Sequence, residues 1–386
     1  MEPIEEFLKA RREKELLRVL HPADFRKEGK IYFKDKEYID FSSNDYLGLS
    51  THPALKSVSE KVAKKFGMSA SASRLLSGDL DIFHQLEEKT AAFKSKEAAL
   101  VFNSGYQANI GIISSLYGKG DVIFSDRLNH ASIIDGILLS GARFFRFHHN
   151  DLNHLESSLK TERGKFNNCL IITETIFSMD GDRPPLKGLV NLKEKYNCRV
   201  MVDEAHASGI FGKNGTGAIE EEGLTDRVDL IMGTFSKALG SFGAYVACSR
   251  KIKEYLINSC RSFIYSTALP PSVIAANLAS LDLVEKEPFR RKALLENADY
   301  FRKELMKRSF IIKGSSQIVP LIIGDVKKTI MVSQQLQDKR YWVFPIRPPT
   351  VPEGEARLRF SLTYYHTKDI LEKLIDDISE IYRQGL

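Results

Sequence analysis

The sequence predicts an α/β fold, with a large domain on a mostly parallel central sheet and a smaller α+β domain after it. Three observations point there. From Asn44 to about Pro271, short β-rich apolar runs alternate with helical stretches. Those runs are continuously apolar, as strands buried on both faces are. After Pro270-Pro271 the pattern changes to a long helical region, two strands and a closing helix. At 386 residues the chain can form two or three lobes around a large core.

Taken in order, an amphipathic pattern over about Ile4 to Val19 predicts an N-terminal helix, and Lys30–Phe33 and Tyr38–Phe41 predict short strands. The central strands are read at Ala98–Phe102, Asp121–Phe124, Arg143–Phe147, Leu170–Thr173, Arg199–Val202, Leu230–Met232 and Gly243–Ala247. Helical stretches such as Gln107–Leu116 and Leu189–Tyr196 separate many of them. Val273 to Lys307 reads as helical, Ile318–Ile323 and Arg357–Leu362 as strands, and Lys368–Arg383 as the last helix. The expected divisions are a 1–45 N-terminal helix and strand segment, a 46–271 large domain and a 272–386 small domain.

Composition narrows the class. The apolar and charged fractions, 43% and 27%, are those of an ordinary globular protein. No run nears the roughly 18 apolar residues of a membrane span, and the charged start lacks the apolar core of a signal peptide. The net charge of +6 comes from interleaved acidic and basic residues, so a solvated mixed surface is expected and neither a nucleic-acid nor a membrane partner. Cys169, Cys198, Cys248 and Cys260 form no CxxC pair, which suits free thiols in a cytoplasmic enzyme.

The chemistry is concentrated just after predicted strands, where ligands of such sheets bind. Val200-Met-Val-Asp203-Glu-Ala-His206 ends an apolar strand in a carboxylate and an imidazole. Gly233-Thr-Phe-Ser-Lys237-Ala-Leu-Gly240 sets a lysine among small residues. A lysine amine able to form a Schiff base, with an aspartate for a pyridinium nitrogen, is the equipment that pyridoxal 5'-phosphate requires. Asn103-Ser104-Gly105-Tyr106 opens a helix whose N-terminus would suit a phosphate, with Ser104 as its cap and Gly105 allowing close approach. His130 could stack on the cofactor ring, Ser178 or His206 could reach its phenolic oxygen, and Thr234 and Ser236 could donate to phosphate. An ordinary helix cap or core role remains the competing reading for His130, Ser104 and Asp203.

Two rival motifs fail. Asp203-Glu-Ala-His206 is spelled like the Walker B box of DEAH ATPases, but Gly118-Lys-Gly120, Gly164-Lys and Gly212-Lys lack the Ser or Thr that completes a phosphate loop. His148, His149 and His154 do not show metal-ligand spacing, and no metal site is expected.

Taken together, these motifs resemble the α-oxoamine synthases, acyltransferases of the fold-type-I pyridoxal-phosphate superfamily. The resemblance runs nearly end to end, through Phe41-Ser-Ser-Asn-Asp-Tyr-Leu-Gly-Leu49, Ser73-Arg-Leu-Leu-Ser-Gly78, His149-Asn-Asp151, Phe177-Ser-Met-Asp-Gly-Asp182, Val202-Asp-Glu-Ala-His206, Thr234-Phe-Ser-Lys-Ala-Leu-Gly240, Tyr265-Ser-Thr-Ala-Leu-Pro-Pro271 and Arg347-Pro-Pro-Thr-Val-Pro352. It implies Lys237 as the Schiff-base lysine and later base, Asp203 as the pyridinium partner and His130 as the stacking, catalytic histidine. It implies cofactor contacts at Gly105, Tyr106, Ser178, His206 and Thr234, and substrate contacts at Arg18, Asn44, His130, Thr350 and Arg359, the last on an amino-acid carboxylate. It also implies a homodimer with shared sites, Ser266 and Thr267 reaching the phosphate from the neighbouring chain.

The spelling is most similar to the biotin-pathway branch. That implies decarboxylative condensation of L-alanine with a pimeloyl thioester of coenzyme A or acyl carrier protein. Branches using glycine or serine with acetyl, succinyl or palmitoyl donors are the alternatives. A non-catalytic protein on the same fold would lack Lys237 or Asp203, and both are present. Two stretches depart from the family pattern: Gly67-Met-Ser-Ala-Ser-Ala-Ser73 is poorer in glycine, and Phe242 and Ala244 stand in a usually Gly-rich part. The side chains of the first could narrow the acyl channel or alter a loop.

Overall fold

The computed structural model describes residues 2–384. Its contacts divide the chain into two compact units: Leu47–Ser178 with Arg183–Arg291, and Met1–Tyr46 with Met179–Asp182 and Lys292–Leu386.

The larger unit is built on a seven-stranded sheet in the spatial order Ala98–Phe102, Ala244–Cys248, Leu230–Thr234, Arg199–Asp203, Cys169–Glu174, Val122–Asp126, Arg143–Phe147. All pairings are parallel except those of Ala244–Cys248, which runs antiparallel to both neighbours. The continuous apolar runs are explained by burial: nearly every residue of the five inner strands is inaccessible to solvent. Leu100, Ile112, Ile123, Ile172, Met201, Met232 and Val246 share one core cluster. Two helices follow strand ends and matter for the site. Gly105–Leu116 begins at Ser104, whose side chain accepts from the Gln107 N–H, and Ala131–Ser140 begins at His130 and stops at Gly141, at φ 71°.

In the smaller unit, the short strands Phe25–Lys27, Lys30–Phe33 and Lys36–Asp40 form a sheet completed by Tyr341–Trp342, which lies parallel to Lys36–Asp40. A second sheet has the order Ile318–Gly324, Ala356–Ser361, Pro345–Ile346, all antiparallel. Lys368–Arg383 buries Leu371, Leu374, Ile375, Ile378 and Ile381 along one face, a helical spacing that reads directly from the sequence.

Four expectations shift. The N-terminal helix spans Glu2–Glu13 and stops short of Val19, with Glu15 at φ 56°. The long helical region is two helices, Pro271–Lys286 and Pro288–Lys307, because the residue before a proline is pushed out of the helical region and Glu287 sits at φ −119°, ψ 53°. The division expected at 271 falls at 291: Pro271–Lys286 packs on Pro53–Phe66 and Asp81–Phe93 and belongs with the larger unit. The segment 1–45 likewise shares its sheet with Tyr341–Trp342 and groups with the C-terminal residues. Among the described residues no helix is long and apolar enough to cross a membrane, and all four cysteines are free and buried.

Candidate active site

In the larger unit the parallel strands bring chain-distant groups to one edge of the sheet. Glu174 and Asp203 are paired in register at the ends of their strands. Asp203 is 6% exposed; it accepts from Asn109 Nδ2 at 2.9 Å and from the Ala205 N–H at 2.8 Å. His130 is exposed, its backbone N–H donating to Glu174 Oε1 at 2.6 Å. Its imidazole pKa is held below the ordinary value, first by burial and then by Lys237, while Asp203 pulls the other way. The Glu174 carboxyl lies well above its ordinary range, since burial and the neighbouring Asp203 both oppose a second negative charge.

Lys237 follows the strand Leu230–Thr234 on a tightly tied loop. The Thr234 hydroxyl donates to the Gly243 carbonyl at 2.8 Å, the Phe235 N–H donates to the same oxygen at 2.9 Å, and the Gly243 N–H reaches Ser236 Oγ at 3.2 Å. Gly240 closes the turn at φ 63°, and a Cβ there would lie 2.5 Å from the backbone of Leu49 and Ser50. Lys237 Nζ stands 2.9 Å from His206 Nε2. The two nitrogens are within hydrogen-bond reach; when the amine is charged it can only donate, and the imidazole nitrogen then accepts.

Gly105 occupies the first turn of its helix, where the leading N–H groups lack intrahelical partners. A Cβ at Gly105 would approach nothing nearer than Met232 Cε at 3.9 Å, so open space borders this helix terminus. Tyr106 donates to Asp135, and its ring lies edge-on to His130 at 6.2 Å. Ser266 accepts from Gln107 Nε2 at 2.6 Å, and the Thr267 carbonyl accepts from Asn103 Nδ2 at 2.9 Å, both within one chain. Ser178 is half-buried at the end of the segment that follows the strand Cys169–Glu174. A basic amine, a carboxylate, imidazoles and an open helix N-terminus match what pyridoxal phosphate requires of a protein.

The smaller unit carries the remaining candidates. Arg359, 8% exposed, donates to Asn44 Oδ1 and the Tyr46 hydroxyl, each at 3.3 Å, and to Ser361. Arg18 reaches Thr350 Oγ1 at 3.4 Å. Both border a cavity of about 460 Å³ that is also lined by Arg11, His21, Phe344 and Arg347. Arg347 is held below its ordinary pKa by burial, with Arg18 and Arg11 adding repulsion, although Glu15 opposes them.

Sequence reasoning missed Asn109, Glu174, Lys94, Tyr46 and Arg347. Asn109 sits among the buried residues Ala108, Ile112 and Ile113 of its helix, and Glu174 ends a fully buried strand; the only signal for either is a polar residue within a buried stretch. Glu204, the middle of the DEAH spelling, is a structural group: it pairs with Lys94 Nζ at 2.6 Å, both residues buried, and accepts from the Ile219 N–H at 2.9 Å. His149 Nδ1 sits 3.0 Å from Asp126 Oδ1, while the His148 and His154 rings stack on each other at 4.0 Å.

Comparison with known proteins identifies the family. The family Aminotransferase class I and II matches residues 36–378. An 8-amino-7-oxononanoate synthase of Geotalea daltonii is 44% identical, covering 100% of this chain and 98% of that protein. One from Geobacter sulfurreducens is 46% identical, with 97% and 96% covered. Among solved structures, a serine palmitoyltransferase from S. paucimobilis with a bound PLP–myriocin aldimine superposes with a TM-score of 0.91 at 30% identity, covering 99% of this chain and 97% of that one. An 8-amino-7-oxononanoate synthase from Francisella tularensis gives 0.77 at 32% identity, with 90% and 98% covered. The chain thus belongs to the class I and II aminotransferase family, in its α-oxoamine synthase branch.

Proposed function

We propose that this chain condenses L-alanine with a pimeloyl thioester, releasing carbon dioxide and free thiol and forming 8-amino-7-oxononanoate for biotin synthesis, with pyridoxal 5'-phosphate as cofactor. The observation that carries the reading is Lys237 Nζ set against His206, with Asp203 buried in the same unit, in a chain 44–46% identical to synthases of that name. When bound, the cofactor supplies a ring that accepts the electron pair left at the amino acid's Cα.

The chain's own groups do the rest. Asp203 holds a proton at the ring nitrogen, and Asn109 fixes the carboxylate that does so. Lys237 Nζ removes the Cα proton of alanine, with His206 Nε2 orienting the amine. Arg359 takes the amino acid's carboxylate with its planar fork, presented by Asn44 and Tyr46. A carbon–carbon bond then forms at the acyl carbonyl as its carbon–sulfur bond breaks to release the thiol, the alanine carboxylate leaves as carbon dioxide, and a proton is returned to the carbon it left.

The cavity lined by Arg11, Arg18 and Arg347 favours an acyl donor with a negative end over a purely apolar chain. Its arginines suit the free carboxylate of a pimeloyl group as well as the phosphates of coenzyme A. The reading includes a homodimer with Ser266 and Thr267 serving the partner's cofactor, and a cytoplasmic location.

The test is direct. Purified protein with pyridoxal phosphate is offered L-alanine, glycine or L-serine with pimeloyl, succinyl, acetyl or palmitoyl thioesters of coenzyme A or acyl carrier protein. Products are identified by mass. Product from alanine and a pimeloyl donor is expected; product from glycine alone would overturn the substrate assignment.

A further inference from the structure

We infer that Asn109 is a positioning residue that ties Asp203 and His130 into one hydrogen-bonded unit and, through Ser132, holds His130 with its ring proton on Nε2. The inference rests on the reading of Asp203 and His130 as cofactor and substrate contacts.

Asn109 is 1% exposed on the helix Gly105–Leu116. Its Nδ2 lies 2.9 Å from Asp203 Oδ2 and 3.0 Å from Ser132 Oγ. A carboxylate only accepts, so the amide nitrogen and not the amide oxygen must face Asp203. Its two hydrogens then serve two acceptors, one on each side.

Ser132 passes the constraint on. Its Oγ accepts from Asn109, leaving its own hydrogen for His130 Nδ1 at 2.8 Å. The Ser132 backbone N–H points at the same nitrogen from 3.2 Å, making His130 the cap of the helix Ala131–Ser140. Two donors converging on Nδ1 require a lone pair there, so the proton of the neutral ring sits on Nε2. The groups that act on the ring are Asp203, Lys237 and Asp135, with Tyr106 edge-on at 6.2 Å and Glu174 bonded to its backbone. Burial is the largest influence and favours the neutral form that the network assumes.

A purely structural asparagine would be expected to satisfy all its polar atoms. Asn109 Oδ1 is buried with no hydrogen-bond partner among the described residues. The amide is kept despite an unsatisfied acceptor, which favours a role for its donors over one in packing.

The test uses the full chain with ring-¹⁵N-labelled histidine, with and without pyridoxal phosphate, and His130→Gln to identify the signals. Long-range ¹H–¹⁵N spectra should show His130 as the Nε2–H form in the wild type and a growing Nδ1–H population in Ser132→Ala. Asn109→Leu should bind pyridoxal phosphate about tenfold more weakly with little change in melting temperature. An Nδ1–H wild type, or an unchanged tautomer in Ser132→Ala, would overturn the inference. So would Asn109→Leu variants that lose melting temperature while keeping full cofactor affinity. Ser132→Ala keeps the test decisive if Asn109→Leu does not fold. Absence of lysine-linked cofactor absorption in the wild type would instead defeat the proposed function, whatever the tautomer.

Discussion

In the larger unit, Asp203 and Glu174 are neighbours in register on adjacent buried strands, and Lys237 follows the next strand on a loop tied to Gly243. In the smaller unit, Arg18 meets Thr350 across 332 positions of sequence, both side chains exposed, and Arg359 meets Asn44 across 315. One region fixes its groups by strand ends and a buried polar network. The other assembles them from distant segments, with Arg18 and Thr350 on an exposed cavity. The contrast suggests a division of labour: reaction chemistry where geometry is rigid, substrate choice where segments can vary.

Removing groups from each region tests that division. Lys237→Ala should lower turnover on the order of 10⁴-fold or more and abolish lysine-linked cofactor absorption, while the apo chain still unfolds cooperatively. Retained absorption would break the assignment. Glu204→Gln should destabilise the larger unit by about 3–5 kcal/mol, because it leaves the Lys94 ammonium buried without its counter-charge; denaturant midpoints would read this.

The smaller unit should show its own acid limit. His366 is fully buried, stacked on Phe41 at 4.1 Å, and burial lowers its pKa to about 3. The unfolded chain takes up this proton first, near pH 6.5. Stability from the neutral ring is therefore complete above that pH and falls by about 1.4 kcal/mol per unit as pH drops toward 3. Urea midpoints from pH 7 to 4 should track the loss, and His366→Gln should flatten it.

Smaller effects should separate substrates. Arg359→Lys should raise the KM for the amino acid about 10–100-fold with cofactor affinity unchanged, since a point charge replaces a planar fork. Arg347→Ala should raise the KM for the acyl thioester about tenfold or less and leave the amino-acid KM alone. A variant that moved both constants equally would blur the proposed division.

Much of the fold was legible. Ala98–Phe102, Arg143–Phe147 and Lys368–Arg383 occur where their apolar patterns place them, because periodicity and burial are local properties of the chain. The N-terminal helix was overrun and the helix break at Pro288 missed, since amphipathic spacing continues past the points where backbone geometry stops a helix. Within the site, strand-end placement singled out Lys237, Asp203, His130 and His206. Asn109 and Glu174 were hidden because a polar residue inside an apolar run gains meaning only from what it faces.

The sequence by itself determined the family and the cofactor chemistry. An amine, a carboxylate and an imidazole placed just after buried strands are short-range signals, and their order along the chain is specific. Only the tertiary structure decided how those groups are held. It set His206 against Lys237, hung Asp203 and Ser132 on one amide, and turned the Glu204 of a DEAH spelling into the partner of a buried lysine. Hydrogen bonds and ion pairs depend on distances of about 3 Å between residues tens to hundreds of positions apart, and no local pattern encodes those.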